Sequence, residues 1–320
     1  MLTNALRSAA GRLYWASPRA LAGFAGRVAI LMYHRVLPRG DVEATFVQPG
    51  MYVTPETFAM HLEFLKTHFE LLGFDELLGK WRTGNWCSST RYAVITFDDG
   101  WLDNYRYAYP MLRQFDAPAT IFLPTDLVAT DAWLWSDSLS YVLHGRGRGG
   151  PDEWDACIED AKSLSDTARS QLIGRLFAER GIALPSERRF IDWDEAREMS
   201  RGGICFGSHT GTHANLTRLS GEALEGELTR PLAALRQQQI RHVPVLAYPN
   251  GDHTDAVVAA ARRAGYRAAV TTMPGTESAQ PPDPLRLRRI GVHEDVTRSA
   301  PLLALHVARQ ARRAAHEGMR

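Results

Sequence analysis

A run of β-branched and aromatic residues, Tyr92-Ala93-Val94-Ile95-Thr96-Phe97, passes without a break into Asp98-Asp99-Gly100-Trp101. The run reads as a buried strand, and the glycine lets the backbone turn straight after it. A buried strand that ends in paired acids sets charge at the rim of a sheet, where α/β proteins keep their chemistry. Neighbouring carboxylates rarely share one role: a cation bound by one holds it ionised and leaves the other free to act as a base. The competing reading is structural, since Asp-Gly is also a common hairpin turn.

Similar short apolar runs recur at 28–33, 69–72, 119–123, 204–206, 245–247, 266–271 and 287–292. Helical patterns fall between them. One opens at Thr54-Pro55-Glu56, with Phe58, Leu62 and Leu65 at helical spacing, and others cover 75–81, 103–115 (despite Pro110), 220–239, 254–264 and 301–316. Alternation of this kind implies a parallel sheet with helices outside, open or closed into a barrel. Between about 131 and 201 the strands stop. There, 145–151 reads as loop, 152–160 as the acidic face of a solvated helix, Asp166 as the cap of a helix to Arg180, and Asp192-Trp193-Asp194-Glu195 as a capping box. The alternation resumes directly afterwards, so this block reads as a helical insertion and not as a separate domain.

The charge balance is close to neutral, 37 Lys and Arg against 36 Asp and Glu, which argues against a nucleic-acid partner. Three scattered cysteines (Cys87, Cys157, Cys205) make neither a disulfide framework nor a zinc knuckle. One asymmetry remains. The first 40 residues hold Arg7, Arg12, Arg19, Arg27, Arg35 and Arg39 and no acid, with Leu2, Leu6, Leu13, Tyr14, Trp15, Leu21 and Phe24 interleaved. Three readings fit: interfacial helices broken at Pro18 that touch a membrane through their apolar side, a targeting peptide of similar composition, or a helix docked on the domain with its basic face in water. With no secretory h-region and no apolar run of spanning length, the expected location is cytoplasmic, with peripheral contact at the inner membrane face as the variant. The expected division is a basic helical segment at 1–27, an α/β domain at 28–295 and a basic terminal helix at 296–320.

The second chemical stretch is Ser208-His209-Thr210-Gly211-Thr212-His213, again just past a strand. Two imidazoles four residues apart can ligate one metal, and Gly211 with two threonines favours a loop bent around the ion over a helix. With a carboxylate from the first stretch they make a two-His, one-acid set that leaves positions open for water and substrate. Trp101, Trp133 and Trp135 are candidates either for a sugar-binding cleft or for packing. Cys205 reads as a core residue, and His253 as a polar loop residue.

Thr96-Phe97-Asp98-Asp99-Gly100 followed by His209-Thr210-Gly211-Thr212-His213 resembles the first two motifs of the polysaccharide deacetylases, carbohydrate esterase family 4, with the NodB homology domain. Ala247-Tyr248-Pro249-Asn250-Gly251 is similar to the third motif, without the arginine that usually precedes it. Leu31-Met32-Tyr33-His34-Arg35-Val36 and Leu287-Arg288-Arg289-Ile290 are similar to motifs of the poly-N-acetylglucosamine deacetylase branch, which is circularly rearranged. The resemblance spans roughly 28–295. It implies a distorted (β/α) barrel and one divalent ion, most often zinc, held by Asp99, His209 and His213. It also implies Asp98 as general base, the Tyr248 backbone N–H beside the developing oxyanion, and a histidine that protonates the departing amine. Arg289 would orient Asp98 in place of the missing arginine. His34 fits the acid of the rearranged branch better than His293, which follows the late strand. The implied activity is removal of N-acetyl groups from an amino sugar in a polysaccharide, oligosaccharide or glycolipid. Deformylation, O-acetyl ester hydrolysis and non-catalytic carbohydrate binding are the rivals.

Overall fold

The computed structural model describes residues 4–17, 20–44, 47–145 and 150–317. Seven parallel strands close a barrel: β1 (Arg27–Tyr33), β2 (Arg91–Phe97), β3 (Ala119–Leu123), β4 (Cys205–Ser208), β5 (His242–Ala247), β6 (Ala268–Pro274) and β7 (Leu287–Gly291). They pair in the order β1-β7-β6-β5-β4-β3-β2, and β2 returns to β1 along its whole length, from Arg27 opposite Arg91 to Tyr33 opposite Phe97. The expected distorted barrel is therefore what forms. The short strand Glu70–Leu71 adds to the start of β2, and β3 takes over the same edge from Ile95 onward.

Alternation along each strand sorts its residues into two layers. Val28 and Ile30, Tyr92 and Val94, Phe122, Cys205, Val245 and Ala247, Val270 and Leu287 form the barrel interior, with Phe74 and Leu77 packed into the same cluster. Their neighbours Ala29, Leu31 and Tyr33, with Ala93, Ile95 and Phe97, join the outer layer under Phe58 and Leu62 of helix Pro55–His68. Residues buried on both sides explain why these strands read as unbroken apolar runs.

Several helices differ in detail from their sequence expectation. The segment 103–115 is split into a wide π-type turn, Asn104–Ala108, and a short α-helix, Tyr109–Gln114. Pro110 has no N–H to continue an α ladder, and the Tyr109 N–H reaches back five residues to the Asn104 carbonyl. Between β3 and β4 stand four helices, Trp135–His144, Pro151–Ser163, Asp166–Arg180 and Trp193–Arg201, the insertion expected there. The cap of the third is Ser165 and not Asp166, because the Ser165 hydroxyl accepts the Ala168 N–H at 3.2 Å. The capping box at Asp192 and Glu195 is present, both bonds at 2.8 Å. Of the loop expected at 145–151, residues 146–149 lie outside the described residues.

At the N-terminus, helix Asn4–Trp15 packs on helix Ala300–Glu317. A Cβ at Gly11 would sit 2.9 Å from the Pro301 carbonyl oxygen, so a glycine permits the approach. Trp15 meets Phe64 and His68 with ring centroids 5.2 and 4.8 Å apart. This is the docked arrangement, although Leu6 and Leu13 stay exposed. The break expected at Pro18, and Leu2 and Arg19, lie outside the described residues. Among the described residues no helix is long and apolar enough to cross a membrane.

Candidate metal centre and active site

The interior parity of the barrel runs on into its mouth. In β2 the interior set Tyr92, Val94 continues through Thr96 to Asp98, and in β7 Leu287 continues to Arg289. In β1 the same count leads from Val28 and Ile30 to His34, and in β4 from Cys205 through Gly207 to His209. Four separate strands thus deliver their polar residues to one place. Gly207 is required on the way, since a Cβ there would lie 2.5 Å from the Phe122 ring.

Arg289 is buried and grips Asp98 with two parallel bonds, Nη1 to Oδ1 and Nη2 to Oδ2, both 2.7 Å. Its Nε donates to the Thr271 carbonyl at 2.8 Å, which fixes the fork in plane. Burial alone pushes the Asp98 carboxyl up, but the Arg289 guanidinium outweighs it and holds Asp98 below the usual range. His34 Nε2 lies 3.9 Å from Asp98 Oδ2. Burial pushes that imidazole below its ordinary value, against the pull of Asp98 and Asp99, so it is neutral at neutral pH.

Asp99 points elsewhere. Its backbone is left-handed (φ 72°), as is that of Gly100 (φ 66°), where a Cβ would strike Leu123 at 2.4 Å. The turn sends the Asp99 carboxylate toward the second motif, with Oδ1 at 3.3 Å from His209 Nε2 and 3.4 Å from His213 Nε2. The other oxygen accepts the Trp101 indole N–H at 2.9 Å. His209 Nδ1 lies 2.8 Å from the Ala247 carbonyl, which can only accept, so Nδ1 carries the hydrogen and Nε2 of the neutral ring presents its lone pair. The 209–213 loop is non-helical, as expected, with left-handed backbone at Thr210 and His213. Glu227 holds it from below by accepting Gly211 N–H (2.9 Å), Thr212 N–H (2.8 Å) and the Thr212 hydroxyl (3.1 Å).

This trio passes a direct test for a cation. Asp99 Oδ1 is buried with no hydrogen-bond partner, a costly state for a carboxylate oxygen unless a positive ion completes it. It faces two imidazole nitrogens, and one ligand atom from each of Asp99, His209 and His213 lies within 4.8 Å of the others. Two nitrogens and one oxygen are a donor set suited to zinc and its first-row neighbours. Burial first, then the charge on His209, pushes His213 down to about 4, so its ring is neutral and able to ligate.

One expectation needs correction. The Tyr248 backbone N–H is not free to meet an oxyanion: it donates to the Val270 carbonyl at 3.1 Å, continuing the β5–β6 ladder past Ala247. The Tyr248 ring is buried and its hydroxyl donates to the Leu285 carbonyl at 3.0 Å. His293 pairs with Asp295 at 3.1 Å and stands beside His306, while His34 is the histidine that reaches Asp98. Trp101 is buried against Phe190, with the Arg35 guanidinium 4.4 Å above its ring, so it braces Asp99 and does not face a cleft. Trp133 lies under Arg189. Trp135 does line a cleft, together with His213 and Asn250. Cys205 is in the barrel core, and His253 stacks on Tyr248 with Nδ1 on the Gly251 carbonyl. Sequence reasoning missed Glu227 and the Ala247 carbonyl as supports, and neither carries a local signal. Trp101, two residues after Asp99, was visible but its bond was not.

The sequence profile of the family described as Polysaccharide deacetylase matches residues 86–269, more than half of the 320 residues. The chain belongs to the polysaccharide deacetylase family. A Bacillus subtilis relative, YxkH, itself named only provisionally as a polysaccharide deacetylase, is 22% identical over 256 residues, covering 79% of this chain and 67% of its own. Among solved structures, the Streptococcus pyogenes deacetylase PplD in complex with acetate superposes with a TM-score of 0.61 at 22% identity, over 88% of this chain and 98% of PplD. IcaB from Ammonifex degensii gives 0.58 at 19%, over 88% and 97%. At these identities the two superpositions show a shared fold. Within this chain, the matched region begins just before β2 and ends in β6, so it contains Asp98, Asp99, His209 and His213 but neither His34 nor Arg289.

Proposed function

We propose that this deacetylase is a metal-dependent hydrolase that removes N-acetyl groups from an amino sugar of a glycan or glycolipid. The observation that carries the reading is the separation of two jobs on adjacent residues. Asp99 is turned onto two histidines with a partnerless oxygen, while Asp98 is locked by Arg289 and stands 3.9 Å from His34. A divalent ion on Asp99, His209 and His213, zinc by family habit, would supply a water of lowered pKa and polarise the acetamide carbonyl.

The chain's own residues do the rest. Asp98, ionised at neutral pH by its arginine, accepts a proton from the attacking water as the C–O bond forms. Arg289 keeps both carboxylate oxygens in one plane, so the base holds its orientation when substrate enters. Amide cleavage needs a proton on the departing nitrogen. His34 is neutral before reaction, takes the proton from Asp98 and delivers it to nitrogen as the C–N bond breaks, giving acetate and the free amine. An ester leaves as an alcohol and depends less on that delivery, so a placed His34 favours the amide.

Acetate release from chitin oligosaccharides, acetylated xylan and a lipid-linked amino sugar tests this, using protein stripped by chelation and then reloaded with zinc. Release from an N-acetyl substrate only after reloading is expected. Turnover of the xylan ester alone would make the protein an O-acetyl esterase, and full activity after stripping would remove the metal from the reading.

A further inference from the structure

Beside the metal ligand His213 opens a cleft of about 160 Å³, walled by Thr212, Asn215 and Asn250 on the barrel side. Its opposite wall comes from the helical insertion: Trp135, Lys162, Asp166 and Arg169, with Arg218 reaching across from the turn after the metal loop. The space holds several waters, enough for one charged substituent and part of a sugar ring. Three cations, Lys162, Arg169 and Arg218, meet one carboxylate, Asp166. Their present partners leave them open to exchange. Lys162 reaches Glu159 at 2.5 Å, with both side chains 40% or more exposed. Asp166, the partner of Arg169, is 69% exposed. Arg218 donates to the Leu164 and Lys162 carbonyls at 2.5 and 2.9 Å, neutral acceptors that leave its charge uncancelled. Arg169 lies 4.3 Å over the Trp135 ring, a flat cationic surface next to the reaction centre.

We propose that this cleft reads a negatively charged substituent, phosphate or carboxylate, carried within one sugar unit of the acetamido group. The inference rests on the N-deacetylase reading and narrows its substrate to an anionic amino-sugar glycan. Lys162 and Arg169 supply charge from the insertion, and Arg218 ties that wall to the metal loop through its two carbonyl contacts. The bound anion displaces the exposed carboxylates of Glu159 and Asp166, whose exposed pairs contribute little.

The test compares three probes on zinc-loaded protein: N-acetylglucosamine 1-phosphate, a glucuronate–N-acetylglucosamine disaccharide, and the neutral methyl glycoside. The readouts are kcat/KM for acetate release and, independently, calorimetric affinity. At low salt at least one charged probe is expected to exceed the neutral one by about tenfold in either readout, with the preference shrinking as salt screens the charges. The phosphate and carboxylate arms identify which group is read. Lys162→Gln should cut the preference to about threefold or less, and Arg218→Gln further, since an electrostatic preference scales with the charges present. A ratio near one in the wild type, or an unchanged ratio in both variants (as direct coordination of the anion by the metal would give), overturns the inference. Equal acetate release from all three probes together with equal affinities sinks it while leaving the deacetylase reading intact. Charge-selective binding without acetate release from any probe would do the reverse.

Discussion

The barrel mouth and the helical insertion are neighbours built on opposite terms. In the barrel every strand is held by backbone pairing on both edges, and several of its buried polar groups are tied across strands. Thr96 Oγ1 donates to the Leu31 carbonyl (2.7 Å), Thr271 Oγ1 to the Leu287 carbonyl (3.0 Å), and Arg289 to Asp98. The insertion rests on a small cluster, Leu139, Val142, Leu143, Ile158, Ala161 and Leu176, and on exposed ion pairs. Side-chain packing of that extent allows local opening far more readily than a closed barrel does. The lesson is a division of labour: the groups proposed to react sit where geometry cannot drift, and the wall proposed to meet the rest of the substrate sits where it can.

If that contrast holds, damage at the mouth should abolish chemistry and damage in the insertion should only modulate it. Asp99→Ala, His209→Ala and His213→Ala should each lose bound metal and all measurable deacetylation, read by metal analysis beside the acetate assay. A variant with full metal stoichiometry would break the assignment of ligands. Asp98→Asn should retain the metal and lose turnover. It also strips the charge partner from buried Arg289, which by analogy with other broken buried pairs should lower unfolding stability by about 3–5 kcal/mol in denaturant titration. His34→Ala should reduce kcat by about 10²–10⁴-fold with metal retained, whereas His293→Ala, whose imidazole pairs with Asp295, should change it little. The reverse ranking would move the acid to the late strand.

A pH experiment sharpens the same picture. Burial lowers the His209 pKa, but the Asp99 carboxylate facing its Nε2 and the charge of Asp98 win, and the net shift is upward. Its proton therefore competes with metal from above the usual imidazole value, whereas His213, down at about 4, competes only in stronger acid. Zinc affinity should fall as pH drops through neutrality, with close to one proton released per ion bound in that range. A flat affinity between pH 8 and pH 6 would contradict it. Smallest of all, Ser165→Ala removes one helix cap in the insertion, worth about 1 kcal/mol. It should raise proteolytic nicking around 151–180 while leaving metal content unchanged, and lost metal would show that the two regions are not separable.

Most of this fold could be read from the chain because its strands announce themselves: 28–33, 92–97 and 119–123 are apolar on both sides, and only a helix-covered parallel sheet buries both. The site was legible for a related reason. Asp98, Asp99 and His209 follow their strands immediately, His213 closes the short loop after His209, and counting by twos from the apolar interior residues also brings His34 and Arg289 inward. Groups whose role depends on distant chain escaped. Nothing near Glu227 says that its carboxylate will hold the 211–212 backbone, and nothing near Tyr248 says that β6 extends far enough to occupy its N–H. The split of 103–115 was half visible, since Pro110 warns of a fault without saying that the turn before it will widen.

Asp99, Thr210, His213 and Asn250 all hold left-handed backbone, as do only four other non-glycine residues among those described. For an ordinary side chain that conformation costs on the order of 1 kcal/mol relative to glycine. Two of the three residues proposed to hold the metal therefore occupy positions that an enzyme selected for thermal endurance alone would give to glycine. Replacing Thr210 or Asn250 with glycine should harden the apoprotein and blunt the catalyst, so any lineage that abandoned hydrolysis but kept the barrel would drift toward glycine first at these turns.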